Sequence, residues 1–374
     1  MSALTRRRRA ARTLAVLLSL ACGLALAELA AGALAGFAWP FLNVFVADAD
    51  QGVRLAPGAS TRTVSRGGRV TPVRINAQGF RGDDWAPAPS AAPVAGRVLL
   101  LGDSQVFGYG VDEADALAAA LTRALPPGAE VLNAAVPTWG PPEYLRALAE
   151  LAPVYRPETV VFTANVANDW TEVHVPNARR TTARDGFAAY QLHGAEAVTE
   201  FPGRAWLFGR SHLFLAVRRL LAATTAERPP EPAAAARRLL ADLPRLSRPD
   251  GPHRSRLTAP LLAARELCRP LGCRVVLLAL PLDLQIHPGE WAKYHGAPFD
   301  LAPTEVLLDH LLSDARRADV PALDLRPVLR AASPGAFLPD DYHLSPAGHA
   351  AVASALAPLI ASLASTTLAA ESPR

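Results

Sequence analysis

The sequence contains few of the residues that build disulfide networks, metal clusters or nucleic-acid surfaces. Its 374 residues include three cysteines, one methionine and 6% aromatic residues. The formal net charge is +4, but the five arginines at positions 6–9 and 12 exceed that surplus. Without them, 33 basic residues stand against 34 acidic ones, so the body of the chain is near neutral. This balance argues against a nucleic-acid partner, and two thiols outside the leader are too few for a zinc site.

The cysteines leave two alternatives open. Cys268 and Cys273 are separated by a short segment with Pro270 and Gly272, which predicts a turn that can bring the two thiols together. A small disulfide suits a protein outside the cytoplasm, and two unpaired, packed thiols are the alternative. Cys22 lies in the N-terminal leader, in a context that fits a lipoprotein signal poorly.

The N-terminus joins an arginine cluster to an apolar stretch over residues 13–40. Residues 25–27 before Glu28 fit a small-x-small cleavage site, which is typical of a secretory signal peptide. The apolar stretch continues past Glu28 and is long enough to span about 30 Å of hydrocarbon, which favours an uncleaved anchor over residues 1–40. By the positive-inside rule, both interpretations place the body outside the cytoplasm, at the bacterial inner membrane or in the periplasm.

Three separated segments carry residues suited to acyl chemistry. An apolar run at 98–101 ends in Gly-Asp-Ser, which predicts a buried strand and a sharp turn that presents Ser104 at a sheet edge. Asn168 follows a second buried-strand pattern at 160–164, and its amide can donate to a developing oxyanion. Far downstream, an Asp-Asp pair stands next to His343, and an Asp–His pair can take the proton of a serine hydroxyl.

In this order the segments resemble the blocks of the SGNH, or GDSL-type, serine hydrolase family, in its membrane-tethered extracytoplasmic branch. The resemblance covers roughly residues 70–363. It implies Ser104 as the nucleophile, His343 as the base, and Asn168 with the Ser104 N–H as oxyanion donors. Members of this family need no metal and no organic cofactor.

The second family block departs from the usual pattern. Thr138 stands where the family has its oxyanion glycine, and Gly140 follows two residues later. A backbone N–H can donate without a glycine, so Thr138 and Gly140 both enter the candidate oxyanion hole.

The acid of the triad has two candidates. Asp340 fits the family's Asp-x-x-His block, whereas Asp341 has the Asp-x-His spacing of some extracytoplasmic branches. We expect Asp340 to face the imidazole of His343 and Asp341 to be exposed or to cap the final helix.

Strand and helix patterns alternate from residue 96 onwards, which predicts a three-layer α/β/α fold with a mainly parallel sheet. The resemblance implies a flavodoxin-like sheet. We divide the chain into a signal anchor (1–40), a stem and small β-rich prelude (41–95), a hydrolase domain (96–365) with a helical insertion (171–258), and a tail (366–374).

Two further segments carry open interpretations. The insertion contains predicted helices at 213–222 and 233–246, which either cap the site or pack elsewhere. The loop at 281–295, with its His, Trp, Lys and Tyr residues, either lines a substrate pocket or lies on the surface. The segment at 74–82 resembles one that precedes the nucleophile strand in membrane-tethered family members.

Three functions follow as hypotheses. The first is an extracytoplasmic serine esterase that acts on an acylated small molecule or polysaccharide. The second is an O-acyltransferase that modifies an envelope polysaccharide through the same acyl-enzyme. The third is a noncatalytic carbohydrate-binding protein on the same fold. The sequence leaves the oligomeric state open.

Overall fold

The computed structural model of the chain describes residues 3–64, 68–190, 203–224, 254–294 and 300–371. The predicted helix at 233–246 lies outside these ranges. The N-terminal apolar stretch forms one helix, α1 (Ala3–Leu34), of which Arg7–Leu34 is long and apolar enough to cross a membrane. Leucines along this helix, such as Leu20 and Leu26, are more than half exposed, as expected of a surface that faces lipid.

The segment that follows α1 folds into two antiparallel hairpins. The first joins β1 (Phe45–Asp48) to β2 (Gly52–Leu55), and the second joins β3 (Ser60–Val64) to β4 (Val70–Arg74). Val53, Leu55 and Ile75 are almost fully buried in the same hydrophobic core as the central sheet. The stem and prelude therefore pack as part of the body.

Five parallel strands form the central sheet. They are β5 (Val94–Leu101), β6 (Glu130–Asn133), β7 (Pro157–Asn165), β10 (Arg274–Leu280) and β11 (Ala322–Asp324), and they lie side by side in the order β6-β5-β7-β10-β11. Their continuous apolar runs suit strands that are covered on both faces. The order corresponds to 2-1-3-4-5, the flavodoxin-like arrangement, which confirms the predicted fold class.

Helices cover both faces of the sheet. The helices of the body are α2 (Ser104–Phe107), α3 (Leu117–Ala124), α4 (Pro141–Tyr155), α5 (Asp169–Glu172), α6 (Asn177–Arg180), α7 (Arg204–Phe208), α8 (His212–Thr224), α9 (Arg254–Cys268), α10 (Ala302–Arg317), α11 (Leu325–Ala331) and α12 (Pro346–Glu371). Short 3₁₀ turns lie at Glu113–Asp115, Arg269–Leu271, Asp283–Gln285 and Pro288–Lys293. On one face α3 packs against α12, and on the other α9 packs between α4 and α10.

The last helix also has the length and composition of a membrane span over Pro346–Leu363. Val352, Ala353 and Leu356 on this helix are at most 1% exposed. This burial within the body identifies α12 as a core helix.

The described part of the insertion packs against the prelude and against α1. It contains a hairpin of β8 (Thr181–Arg184) and β9 (Phe187–Tyr190), which the sequence analysis did not predict. The Phe45 N–H donates to the carbonyl of Gly186 over 2.8 Å, so this hairpin lies beside β1. Helix α8 packs against α1. The structure therefore supports the second alternative for this helix: α8 packs elsewhere and does not cap the site.

Cys268 and Cys273 are unpaired and buried in this structure. The Cys273 thiol donates to the carbonyl of Cys268 over 3.6 Å. Its proximity to Cys273 and its burial raise the pKa of the Cys268 thiol, so this side chain packs as a neutral group.

Candidate active site

Strand β5 delivers Ser104 to the carboxyl edge of the sheet. Gly102, two residues before Ser104, has no room for a side chain, because an added Cβ would lie 2.4 Å from Val106 Cγ2. The Asp103 carboxylate accepts from the Gln105 N–H over 2.9 Å, which caps the short helix α2 that begins at Ser104. The same carboxylate accepts from the Asn165 amide at the end of β7 over 2.8 Å. The nucleophile turn is thereby tied to the neighbouring strand.

Ser104, His343 and Asp341 form a continuous hydrogen-bonded series. Ser104 Oγ lies 2.8 Å from His343 Nε2, and His343 Nδ1 lies 2.9 Å from Asp341 Oδ1. The His343 side chain is 7% exposed and that of Asp341 is 16% exposed. This is the geometry that a nucleophile, a base and an orienting carboxylate require.

The preference for Asp340 over Asp341 was wrong. The segment before His343 closes into a tight loop in which the Leu338 N–H donates to the His343 carbonyl over 2.8 Å. This loop brings Asp341, two residues before the histidine, against its ring. Asp340 is half-buried, and its Oδ2 has no hydrogen-bond partner among the described residues. The final helix is capped instead by Ser345, whose Oγ accepts from the Gly348 N–H over 3.1 Å.

Gln105, the residue after the nucleophile, holds the backbone on both sides of the histidine. Its amide donates to the Tyr342 carbonyl and accepts from the Leu344 N–H, each over 3.0 Å. The ring of Tyr342 stacks on His343 with centroids 4.4 Å apart, and Tyr109 lies on it at 5.0 Å. These contacts restrict the imidazole to the orientation that points Nε2 at Ser104.

The loop at 281–295 supports the acid of this series. Lys293, the only lysine in the chain, is buried and donates to the main-chain carbonyl of Asp341 over 2.9 Å. Its ammonium also pairs with Glu290 and, at 3.5 Å, with Asp283. Burial raises the pKa of Asp283 to about 6, although Lys293 opposes this shift. His295 lies outside the described residues, and the contacts of Lys293 make this loop a support for the Asp341 segment.

The segment at 74–82 supports the other end of the nucleophile helix. Arg81 is 3% exposed and donates to the carbonyls of Phe107, Gly108 and Val111 over 2.5–3.1 Å. A cation is favourable at a helix C-terminus, where carbonyl groups lack intrahelical partners. Burial lowers the pKa of Arg81 to about 10. The segment therefore fixes the turn that follows Ser104.

Thr138 and Asn168 follow β6 and β7, the two strands that flank β5. Since all three strands are parallel, both residues lie at the same sheet edge as Ser104. Thr138 has a φ of +82°, in the left-handed region that glycine adopts freely and a β-branched residue rarely does. Its hydroxyl accepts from the Asn177 amide over 3.2 Å, and its carbonyl accepts from Arg180 over 3.1 Å. A threonine therefore stands at the family's glycine position, in a backbone conformation that glycine adopts freely.

Gly140 does not fit the oxyanion role. Its N–H already donates to the carboxylate of Glu143 over 3.0 Å, within the capping box that begins α4. A Cβ at this position would lie 3.0 Å from Glu172 Cβ and 3.1 Å from Glu172 Oε2. The glycine is needed here because the side chain of Glu172 passes close to the backbone.

Asn168 is held by Glu172, one helical turn further on. Its amide donates to Glu172 Oε2 over 2.9 Å, and Glu172 Oε1 accepts from Arg180 over 2.9 Å. Arg180 therefore links this carboxyl to the carbonyl of Thr138. Burial raises the pKa of Glu172 to about 8 and outweighs the opposing effect of Arg180, with nearby Asp103 and Glu143 adding to the rise. The two candidate oxyanion segments form one network of buried polar groups.

The sequence analysis assigned a supporting role to none of the side chains that hold the site, which are Arg81, Gln105, Glu172, Arg180 and Lys293. Two of them carried a usable signal: Lys293 is the only lysine, and Glu172 stands at the i+4 position from Asn168. Within the described ranges, no group of three or more His, Cys, Asp and Glu side chains is arranged to hold a metal ion.

The structure is thus an α/β/α protein with a flavodoxin-like sheet and a hydrogen-bonded Ser–His–Asp series at the carboxyl edge of that sheet. Residues 247–373 match the family model described as SGNH hydrolase-like domain, acetyltransferase AlgX. The match covers about a third of the chain, and it supports the resemblance to the SGNH/GDSL family. Ser104, Thr138 and Asn168 lie outside the matched residues, whereas Asp341 and His343 lie within them.

The solved structures that show some likeness to the chain are distant from it in sequence. A putative G-D-S-L lipolytic protein from Desulfitobacterium hafniense DCB-2 is 14% identical, with a TM-score of 0.34, over 70% of this chain and 98% of that one. A carbohydrate acetylesterase family member from Sinorhizobium meliloti is 16% identical, with a TM-score of 0.36, over 72% and 99%. TesA is 15% identical, with a TM-score of 0.39, over 71% and 99%. No curated protein matches the chain.

Proposed function

We propose that this protein is an extracytoplasmic serine esterase that cleaves a carboxylic ester through an acyl-enzyme on Ser104. The observation that carries the proposal is the series Ser104–His343–Asp341, with contacts of 2.8 and 2.9 Å. With the Nδ1 proton of the imidazole directed at Asp341, Nε2 accepts the hydroxyl proton as Ser104 attacks the acyl carbon. His343 then returns that proton to the leaving alcohol, and water hydrolyses the acyl-enzyme by the same steps in reverse order.

The oxyanion of the tetrahedral intermediate is stabilised by the N–H groups of Ser104 and Thr138 and by the amide of Asn168. The left-handed backbone at Thr138 supports this assignment because glycine, the residue the family has here, adopts that conformation freely. Glu172 and Arg180 are positioning residues in this proposal. They hold the Asn168 amide and the Thr138 carbonyl from behind.

A second candidate is transfer of the acyl group to a sugar hydroxyl in place of water. The match of residues 247–373 to a family model described with an acetyltransferase favours it. The chemistry up to the acyl-enzyme is the same, and only the acceptor differs. The N-terminal helix α1 suits both candidates, since it is long and apolar enough to anchor the catalytic body at the outer face of the membrane.

The test uses the full-length protein in detergent, with 4-nitrophenyl acetate as donor. We expect release of 4-nitrophenol and labelling of Ser104 by a fluorophosphonate probe, with Ser60→Ala, an exposed serine on β3, as the unaffected control. Adding an oligosaccharide separates the candidates, because an esterase yields free acetate and a transferase yields acetylated sugar. Folded protein that neither reacts with the probe nor turns over the ester would refute both, and would favour a noncatalytic binding protein.

A further inference from the structure

Glu28 is the one ionisable residue inside the apolar part of α1, and its carboxylate is fully engaged by α8. It accepts from the Ser211 hydroxyl over 2.6 Å and from the N–H groups of His212 and Leu213 over 2.5 and 3.2 Å. An acidic group in a membrane helix is expensive unless it is paired, and a helix N-terminus is a favourable partner for an anion. Glu28 therefore caps the first turn of α8 from within the N-terminal helix.

Aromatic contacts extend this junction. The ring of His212 lies 4.3 Å from that of Trp39 and 5.9 Å from that of Phe37, in the segment that leaves α1. The start of α8 is thereby enclosed between α1 and the chain that leads into the body.

The position of Glu28 along α1 sets the depth of the junction. Glu28 follows Arg12, the last residue of the arginine cluster, by sixteen residues, which is about 24 Å of helix at 1.5 Å per residue. The hydrocarbon layer is about 30 Å thick. If Arg12 marks its inner boundary, Glu28 lies roughly 6 Å below the outer boundary. Interfacial amphipathic helices bury their apolar face at a depth of about 5–10 Å.

Helix α8 has the surface that such a position requires. Leu215 is 8% exposed and packs on the protein, whereas Val217, Leu220 and Leu221 are 45%, 67% and 58% exposed. The spacing of these three residues, i, i+3 and i+4, places them on one stripe of the helix. Arg218 and Arg219 stand between them in sequence and project from other sides of the helix.

We propose that α8 is a second membrane-contacting element, a helix that lies in the outer interface of the bilayer beside α1 and is latched to it by Glu28. The occupant of the exposed stripe is lipid, because the stripe adjoins a helix whose own apolar surface is exposed along its length. Arg219, which is exposed on α8, suits the headgroup layer, whereas the Arg218 guanidinium lies over the ring of Phe208 at 5.4 Å. Because both α1 and α8 contact the membrane, the catalytic body has a fixed orientation towards the membrane surface.

The test places the photoreactive residue p-benzoylphenylalanine at Leu221 of the full-length protein. The matched control is the same residue at Val154, which is 46% exposed on α4 of the body. Both proteins are reconstituted in vesicles of phosphatidylethanolamine and phosphatidylglycerol and irradiated, and adducts are identified by mass spectrometry. We expect at least about tenfold more lipid adducts at 221 than at 154. Equal yields, or adducts to protein or to a second copy in place of lipid, would overturn the proposal.

The latch is tested separately by Glu28→Ala in the protein that carries the probe at 221. Loss of the cap should reduce the lipid adducts several-fold while the protein stays in the membrane fraction through α1. Glu28→Gln should retain much of the yield, because its amide oxygen still accepts hydrogen bonds. An unchanged yield in Glu28→Ala would show that Glu28 does not hold α8 at the interface. Labelling of Ser104 by the fluorophosphonate probe reports independently whether the serine site is reactive.

Discussion

The two sides of the site differ in how their key residues are held: on the nucleophile side, polar side chains bind main-chain carbonyls, and on the oxyanion side the Asn168 amide is held by a carboxyl group. Arg81, Gln105 and Lys293 donate to the carbonyls around Ser104 and His343. On the other side, Asn168 depends on Glu172, and Glu172 in turn pairs with Arg180.

This difference has a consequence for how the two sides respond to conditions. A carbonyl acceptor does not titrate, so the contacts that Arg81 and Gln105 make with main-chain carbonyls depend little on pH. The oxyanion side contains carboxyls whose pKa burial has raised, Glu172 to about 8 and Asp169 well above its ordinary value. Its arrangement therefore depends on pH in the neutral range.

The largest effects are expected on the nucleophile side. Ser104→Ala and His343→Ala should each lower the turnover of 4-nitrophenyl acetate by about 10⁴-fold or more, and the double variant should be barely worse. Members of one catalytic unit are non-additive because the loss of one disables the other. Initial rates of the full-length protein measure this, with Ser60→Ala as control. An undiminished rate in Ser104→Ala would eliminate the serine mechanism.

The acid of the series is decided by a matched pair of substitutions. Asp341→Asn should lower turnover by about 10³- to 10⁴-fold, because the amide no longer stabilises the imidazolium or selects its tautomer. Asp340→Asn should change turnover by less than about tenfold, since Asp341 occupies the position at Nδ1. The two rates under identical conditions give the answer, and the opposite ranking would return the role to Asp340.

Asn168→Ala removes one oxyanion donor and should lower kcat by about 10²- to 10³-fold with little change in KM. The protein should remain folded, as judged by circular dichroism. Asn43→Ala, an amide in the prelude, serves as the control. A change in KM alone would assign Asn168 to substrate binding and remove it from the oxyanion hole.

Glu172→Gln tests the pH dependence of the oxyanion side. Between the ordinary carboxyl pKa near 4.5 and about 8, the folded state keeps a proton here that the unfolded chain has lost. Stability therefore falls as pH rises through this window, with a slope of about 1.4 kcal/mol per pH unit for one proton. The thermal midpoint of the wild type should fall from pH 5 to pH 9, and the thermal midpoint of Glu172→Gln should fall less over the same range. Equal decreases in both proteins would assign the effect to other buried carboxyls.

The smallest effect is expected at Thr138. Thr138→Gly relieves a left-handed residue, worth about 1–2 kcal/mol, but loses the contact with Asn177 and adds about 1 kcal/mol of chain entropy. Turnover should stay within about threefold, and stability within about 1 kcal/mol, of the wild type. Thr138→Val keeps the unfavourable backbone without the hydroxyl and should be the less stable variant. Loss of activity in Thr138→Gly would mean that the threonine side chain itself takes part.

Much of the fold was predictable because a parallel strand that is buried on both faces is visible in the sequence as a continuous apolar run. The continuous apolar runs that predict buried strands at 98–101 and 160–164 lie within β5 and β7. The hairpin β8–β9 was missed because its stability depends on packing beside β1. Packing of this kind produces no hydrophobic pattern in the sequence of the hairpin itself.

Local patterns were enough to predict the sheet, the order of the blocks and the candidates Ser104, Asn168 and His343, because strand burial and short motifs are local properties of a sequence. The sequence did not determine which aspartate meets the histidine. The side chains of Asp340 and Asp341 point in different directions. The closure of the loop between Leu338 and His343 decides which of them points at the imidazole. Only the tertiary structure brought Lys293 to the Asp341 carbonyl and Glu28 to the start of α8, since these partners are 48 and 184 residues apart in the chain.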